Sequence, residues 1–150
     1  MKKFVDPNNT SARPGGEYAQ VINKIATDGV CPFCPEHLTK YHKKPVIERE
    51  MWVVTDNMYP YKPSKVHRLI IHKEHITHIS QVTPHGWHVL MEILTEEVSK
   101  NKIVGGSLIM RFGDTKYTGA SVSHLHMHIV QSDPDDPTYD KAKGLTMRIG

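Results

Sequence analysis

The clearest pattern in the chain is an alternation. Between residues 124 and 129 histidine and an apolar residue take turns, as His124-Leu125-His126-Met127-His128-Ile129. Successive side chains of an extended strand point to opposite faces, so the three histidines share one face and Leu125, Met127 and Ile129 the other. A helix would scatter the same imidazoles around its circumference. Other stretches change period. Residues 1–16 are polar and rich in Pro and Gly, and read as an irregular arm. Tyr18, Val21, Ile22 and Ile25 then recur at helical spacing before Asp28-Gly29, which predicts a helix over about 17–27. Residues 50–55 are β-rich, and Asp56-Asn57 begins a turn running through Tyr59-Pro60-Tyr61-Lys62-Pro63. A second strand is expected over 67–72, with Lys73-Glu74-His75-Ile76 leading away from it.

The second half holds the longest helix. Thr83-Pro84 supplies a capping hydroxyl followed by proline at the first helical position. Trp87, Leu90, Met91, Leu94 and Val98 predict one apolar stripe ending near Asn101, with His85 and His88 facing solvent. Residues 105–112 read as a third strong strand, and 113–119 as a loop feeding the histidine strand. The tail, 132–150, opens with the turn chemistry of Asp133-Pro134-Asp135-Asp136-Pro137, and a short final strand is expected at 145–149. No repeat or internal boundary interrupts this order, so a single domain over 1–150 is expected.

Composition narrows the classes. A chain of 150 residues can bury a sizeable core, and 38% hydrophobic with 23% charged residues is ordinary for a globular protein. No apolar run approaches the roughly 20 residues of a membrane span, and Met-Lys-Lys-Phe is not followed by a signal-peptide core. The expectation is a cytoplasmic protein with no membrane partner. The net charge of +3 suits phosphate-bearing small molecules and makes no case for nucleic acid.

Two clusters carry chemistry. Three imidazoles on one strand face suit either a metal cluster or nucleophilic chemistry, in which one neutral ring attacks phosphorus while its neighbours bind oxygens and protonate the leaving group. A solvated face rich in histidine is the bland alternative, and strict alternation after Gly119-Ala120-Ser121 speaks against it. Cys31-Pro32-Phe33-Cys34 is half of a tetrahedral zinc site. A redox pair would want a strand before the first cysteine and a helix after the second, whereas Gly29 precedes and Pro35 follows. A disulfide does not suit a reducing compartment. His67 and His72 read as ordinary strand-face residues.

The run His124-Leu125-His126-Met127-His128-Ile129-Val130 resembles the signature of the histidine triad (HIT) family, His-φ-His-φ-His-φ-φ with φ apolar. Val66-His67-Arg68-Leu69-Ile70-Ile71-His72-Lys73-Glu74-His75 is similar to the family's Gly-His-φ-Leu-φ-φ-Pro-Lys-x-His segment, with Val66 for the glycine and His72 for the proline. The resemblance implies an α+β fold, with an antiparallel sheet of about five strands and a long helix packed on it. It implies that His126 is the nucleophile that takes up the nucleotide, that His128 binds phosphate oxygen, and that Ser121 hydrogen-bonds the scissile bridge or leaving group. Asp56 and Asn57 resemble the ribose-binding position. Gly113 stands where many relatives carry a phosphate- or ribose-contacting asparagine. In zinc-containing relatives the ligands correspond to Cys31, Cys34, His75 and His124, with His37, His42 and His78 as further candidates for the third; without zinc, His124 is a polar orienting residue.

The function expected from this resemblance is a nucleotide hydrolase acting on the α-phosphate linkage of dinucleoside polyphosphates or nucleoside phosphoramidates. Nucleotidyl transfer or phosphorolysis is the alternative within the family. Transferase branches, among them galactose-1-phosphate uridylyltransferase, typically carry glutamine where this chain has His128, which favours hydrolysis. A zinc-stabilised nucleotide-binding protein without catalysis is the third reading. The family's habit also implies a homodimer paired through the long helix and the adjoining strand.

Overall fold

The structure is a computed structural model, and it describes residues 3–11, 13 and 15–150; the remainder of the expected arm lies outside the described residues. In chain order the elements are α1 (Glu17–Asp28), α2 (Pro35–Tyr41), β1 (Val46–Glu48), β2 (Trp52–Asp56), β3 (Ser64–His72), α3 (Pro84–Lys100), β4 (Ser107–Arg111), α4 (Thr115–Thr118) and β5 (His126–Ser132), with one-turn 3-10 helices at Pro7–Asn9 and Ile79–Gln81. The five strands form one antiparallel sheet in the order β1-β2-β3-β5-β4. The α+β architecture expected from the sequence is the one observed.

Register decides what lies on each face, because residues paired across antiparallel strands point the same way. Ile71 pairs with His126 and Leu69 with His128 across β3 and β5, while Arg111 of β4 pairs with His126 from the other side. Val53 and Thr55 of β2 fall on this same face. The opposite face carries Trp52, Val54, Ile70, Met127 and Ile129, which pack on Val89, Leu90, Ile93 and Leu94 of α3 to form the main core. Val53, Leu69 and Ile71 make a smaller core on the histidine face with Leu38 of α2. So both faces are covered, and His126 and His128 are buried rather than solvated.

Helix α3 begins as expected. Thr83 caps it by accepting from the Gly86 amide, with Pro84 in the first turn, and the helix ends at Asn101. Its buried stripe is rotated from the expected one: Gly86, Val89, Leu90, Ile93, Leu94 and Glu97 are buried, while Met91 is 60% exposed and Val98 40%. A buried ion network fixes the rotation. Arg68 on β3 donates to Glu97 at 2.6 Å and to Asp56 at 2.7 Å, so the stripe includes an acid that hydropathy assigns to solvent. His85 and His88 do lie outside, in contact with Glu50 and Glu92.

Other differences are local. Val46–Glu48 adds an edge strand that no alternation announced. Residues 113–119 contain a helical turn, capped by Asp114 and closed by Gly119 at φ 70°. Residues 145–149 form no strand: the Arg148 carbonyl is taken by the Arg111 guanidinium at 2.7 Å instead of by a ladder partner. Among its described residues the N-terminal arm holds no regular strand, yet it is anchored. Val5 is buried and bridges Val122, Asp6 N donates to Ser121 O, and Ser123 N donates to Phe4 O.

Candidate functional site

The histidine face of β3 and β5, α1, the residues after Cys31, the N-terminal arm and the tail enclose a cavity of about 70 Å³. Ser121, His126, His128, Asn57, Tyr61, Arg13 and Arg111 line it together with an apolar wall of Ile22, Ile25, Phe33 and Leu69. Among the described residues, no Asp or Glu lines it.

Hydrogen bonds assign the protons on the rings. His126 Nδ1 lies 2.6 Å from the carbonyl of His124, which can only accept. The neutral ring therefore carries its proton on Nδ1, and Nε2 keeps a free lone pair. Burial pushes this imidazole down to about 4; the His124 carbonyl opposes the shift, and Arg111 and Arg13 add to it. Near pH 7 it is an uncharged base. His128 is held from behind. The Tyr61 amide donates to His67 Nδ1 at 3.0 Å, so the His67 proton sits on Nε2 and is given to His128 Nδ1 at 2.8 Å. His128 then holds its own proton on Nε2, where it can donate a hydrogen bond. Burial, then the neighbouring His126 and His67, push His128 well below the usual imidazole range. Asn57 Nδ2 lies 3.1 Å from the same His67 nitrogen, a contact between two N–H groups in this tautomer, while its Oδ1 accepts from the Tyr59 amide.

His67 is the residue that strand-face reasoning undervalued. One strand does not reveal that its neighbour in the sheet will be β5, although the segment around His67 was already one of the two that resembled the HIT pattern. Tyr61 stacks on His67 with ring centres 4.8 Å apart, and Arg13 and Arg111 approach the Tyr61 phenol. Ser121 Oγ is hydrogen-bonded to the hydroxyl of Tyr18 from α1. Burial raises the Tyr18 phenol, so it stays protonated.

Two expected site residues fall elsewhere. Asp56 does not line the cavity, because it sits one step out of phase with Thr55 and Asn57 and points to the α3 face, where it pairs with Arg68. Gly113 is likewise outside the cavity, and its amide donates to Thr77 O at 2.7 Å, so it does not stand in for the missing asparagine side chain.

A second cluster adjoins the first through His124. Donor atoms of Cys31, Cys34, His75 and His124 all lie within 4.8 Å of one another. Cys31 Sγ is 3.3 Å from His124 Nδ1, Cys34 Sγ is 3.5 Å from His75 Nδ1 and 3.8 Å from His124 Nδ1, and the two Nδ1 atoms are 3.2 Å apart. A tetrahedral zinc ion with ordinary bond lengths needs its ligand atoms about 3.3–3.8 Å apart. The four side chains fit that group. His124 Nε2 donates to His72 O at 2.6 Å, which leaves Nδ1 as the ligating nitrogen. The other candidates do not belong to the cluster: His37 lies on α2, His42 bonds Thr55, and His78 caps the Ile79–Gln81 turn. The redox alternative deserved one more structural point in its favour, since α2 does follow Cys34 directly. Burial pushes the Cys31 thiol up to about 12 and raises Cys34, opposite to the lowered range of an activated thiolate pair.

Comparison with known proteins agrees with this geometry. The family described as "Scavenger mRNA decapping enzyme C-term binding" matches residues 30–144. No curated protein matches the chain. Among solved structures, one titled "Hit Like Protein" is 28% identical, with TM-score 0.54 over 64% of this chain and 93% of the other. A hypothetical histidine triad nucleotide-binding protein from Sulfolobus tokodaii strain7 is 20% identical, with TM-score 0.57 over 79% of this chain and 80% of the other. A Zn-bound histidine triad family protein from Mycobacterium smegmatis is 16% identical, with TM-score 0.51 over 75% and 78%. The match across most of the sheet and both histidine clusters makes the chain a member of the scavenger mRNA decapping enzyme C-terminal family, of the HIT type.

Proposed function

We propose that the protein is a nucleotide hydrolase that cleaves the α-phosphate linkage of dinucleoside polyphosphates or nucleoside phosphoramidates through a nucleotidyl-His126 intermediate. The observation that carries this is the His126 ring, locked through Nδ1 on the His124 carbonyl with an unprotonated Nε2 in a buried, acid-free cavity. In the first step the Nε2 lone pair forms a bond to the α-phosphorus as the bond to the leaving group breaks. The leaving atom takes the bonding pair while the Nε2–H of neutral His128 and the Ser121 hydroxyl hydrogen-bond the bridge; a phosphate departs as its anion, and an amine departs from a nitrogen already protonated by solvent. In the second step water attacks phosphorus, the bond from phosphorus to His126 Nε2 breaks and returns His126 as a neutral ring, and the proton of the attacking water passes to solvent. His67 holds His128 in the tautomer that can donate. The apolar wall of Ile22, Ile25, Phe33 and Leu69 suits a nucleobase.

Zinc belongs to the Cys31, Cys34, His75 and His124 cluster in this reading. There it supplies a closed structural link between the segment before α2 and the approach to β5. The thiols, free among the described residues, suit a cytoplasmic location. Met91, Val98, Val104 and Leu108 expose an apolar patch beside the open edge of β4, and we assign it to a homodimer contact.

The test is an acid-quenched reaction with adenosine 5′-phosphoramidate or diadenosine triphosphate, searched by intact mass for an adenylyl adduct that His126→Ala abolishes. Turnover in water carrying heavy oxygen, with and without inorganic phosphate, separates the branches. Label in the released monophosphate supports hydrolysis, and conversion of product to a diphosphate whenever phosphate is present overturns it in favour of phosphorolysis. No adduct from a folded wild-type protein defeats the covalent route.

A further inference from the structure

Of the three arginines that line the cavity, Arg13 and Arg111 have no carboxylate partner among the described residues. Arg111 is in register with His126 across β4 and β5, so its side chain shares the nucleophile's face. Its Nη1 is 3.5 Å from the Tyr61 hydroxyl and its Nη2 donates to Arg148 O, while Nε is buried with no hydrogen-bond partner. Arg13 comes from the arm at the other end of the chain. Its guanidinium carbon lies 3.8 Å from the centre of the Tyr61 ring and 5.0 Å from that of Tyr18, and its Nε is likewise buried and unpartnered. Neither arginine forms an ion pair with a carboxylate among the described residues. Both act on the same groups: they hold the Tyr61 phenol below its ordinary range against the opposing effect of burial, and they press on His67, His126 and His128.

Bringing two like charges to one buried phenol, in a cavity with no acid among the described residues, is unfavourable until an anion joins them. Chemistry sets the size of that anion. The reacting phosphoryl group of a diester or of a phosphoramidate monoester carries about one negative charge, which balances the arginine beside His126. The second guanidinium, across Tyr61, needs a further charge. Guanidinium groups recognise phosphate with paired N–H donors, and both Nε–H groups are unspent.

We propose that Arg13 and Arg111 form a grip for the phosphate chain beyond the reacting phosphorus, so that the enzyme selects substrates whose leaving group is itself a nucleoside phosphate. The idea rests on the nucleotidyl-His126 reading and chooses between its two substrate classes. As the bond from His126 Nε2 to the α-phosphorus forms, the bridging P–O bond breaks and its oxygen departs with the electron pair as part of a phosphate. The charge released there lies within the field of the two guanidiniums, which stabilises departure as well as binding. A phosphoramidate leaving as an amine gives them nothing new to hold. Arg148 anchors the arrangement without contributing to it directly, since its carbonyl receives Arg111 and its own guanidinium donates to Asn8 O and Gly150 O.

The experiment measures kcat/KM for diadenosine triphosphate and for adenosine 5′-phosphoramidate in the wild type, Arg13→Gln, Arg111→Gln and Arg111→Lys. Wild type should prefer the triphosphate. The ratio of the two values should fall by about tenfold to a hundredfold in each glutamine variant, the range expected for losing one charge-assisted hydrogen bond. Arg111→Lys should recover part of the ratio. If a variant does not fold, raising salt on the wild type serves instead and should lower kcat/KM for the triphosphate more than for the phosphoramidate. An unchanged ratio, or a wild-type preference for the phosphoramidate, overturns the grip. The adduct keeps the two ideas apart. An adduct from both substrates with no charge discrimination defeats the grip alone, whereas no adduct from either defeats the hydrolase reading and the grip with it.

Discussion

The two faces of the sheet are built in different ways. One is covered by α3, a single regular element of 17 residues whose aliphatic stripe meets Trp52, Ile70, Met127 and Ile129 and whose one buried acid pairs with Arg68. The other is covered by pieces: α1, the turn through Cys31 and Cys34, the arm that carries Arg13, and the tail that carries Arg148. The regular face holds apolar contacts and one ion network. The assembled face holds both histidine clusters and both unbalanced arginines. A strand alternates strictly, so β5 serves both tasks at once, with Met127 and Ile129 for stability and His126 and His128 for chemistry. Changes on the α3 face should therefore appear in stability, and changes on the histidine face in rates.

The sharpest division comes from His126. His126→Ala should lower kcat by at least about 10⁴-fold, because the stepwise route disappears with its nucleophile. The circular dichroism spectrum should be unchanged. A folded variant with near-wild-type turnover would dissolve the distinction between the faces.

The metal cluster should cross the division, since it is structural yet lies on the assembled face. Wild type should carry about one zinc per chain by elemental analysis, and Cys31→Ser with Cys34→Ser should lose it. The melting temperature should then drop on the order of 10 °C, as the metal contributes directly to folding. A zinc-free wild-type protein with the same melting temperature would sink this prediction.

On the α3 face, Ile93→Ala should cost about 2–5 kcal/mol by opening a cavity in a fully buried site. Glu97→Ala should cost about 3–5 kcal/mol by stranding the buried Arg68. Urea denaturation reads both. In each, kcat of the remaining folded protein should stay within about twofold of wild type, and a larger fall would couple the faces more tightly than their packing suggests.

Acid should act on the histidine face first. Burial, with Arg13 next, His126 and Arg111 after it, pushes His67 from 6.5 to about 3, so the folded protein keeps this ring neutral while the unfolded chain takes up a proton. The stabilisation is fully present above about pH 6.5 and is lost as pH falls toward 3, at up to roughly 1.4 kcal/mol per pH unit. Urea midpoints between pH 7.5 and 4.5 should fall in wild type and fall less steeply in His67→Gln. The smallest effect belongs to Asp56, whose side chain is 57% exposed. Asp56→Asn should change stability by less than about 1 kcal/mol and leave KM unaltered, as a residue directed at α3 rather than at substrate. A raised KM would return it to the site.

Much of this was set by local sequence. Alternation from His124 to Ile129 put three imidazoles on one face, Thr83-Pro84 started α3 and Gly29 ended α1, because caps and side-chain period act within a few residues. Tertiary structure decided the rest. The rotation of α3 depended on Arg68 reaching Glu97 from another element, so Met91 and Val98 turned outward although their hydropathy pointed in. The meeting of His67 with His128 depended on β3 pairing with β5. Residues 145–149, strand-like by composition, gave their carbonyl to Arg111 because the tail returns across the site. Arg13 stands 98 residues before Arg111, and only the folding of the N-terminal arm over the face that β4 and β5 present brings both to Tyr61. Period and capping are short-range rules, whereas the charge balance of a cavity is the sum over segments that the chain brings together last.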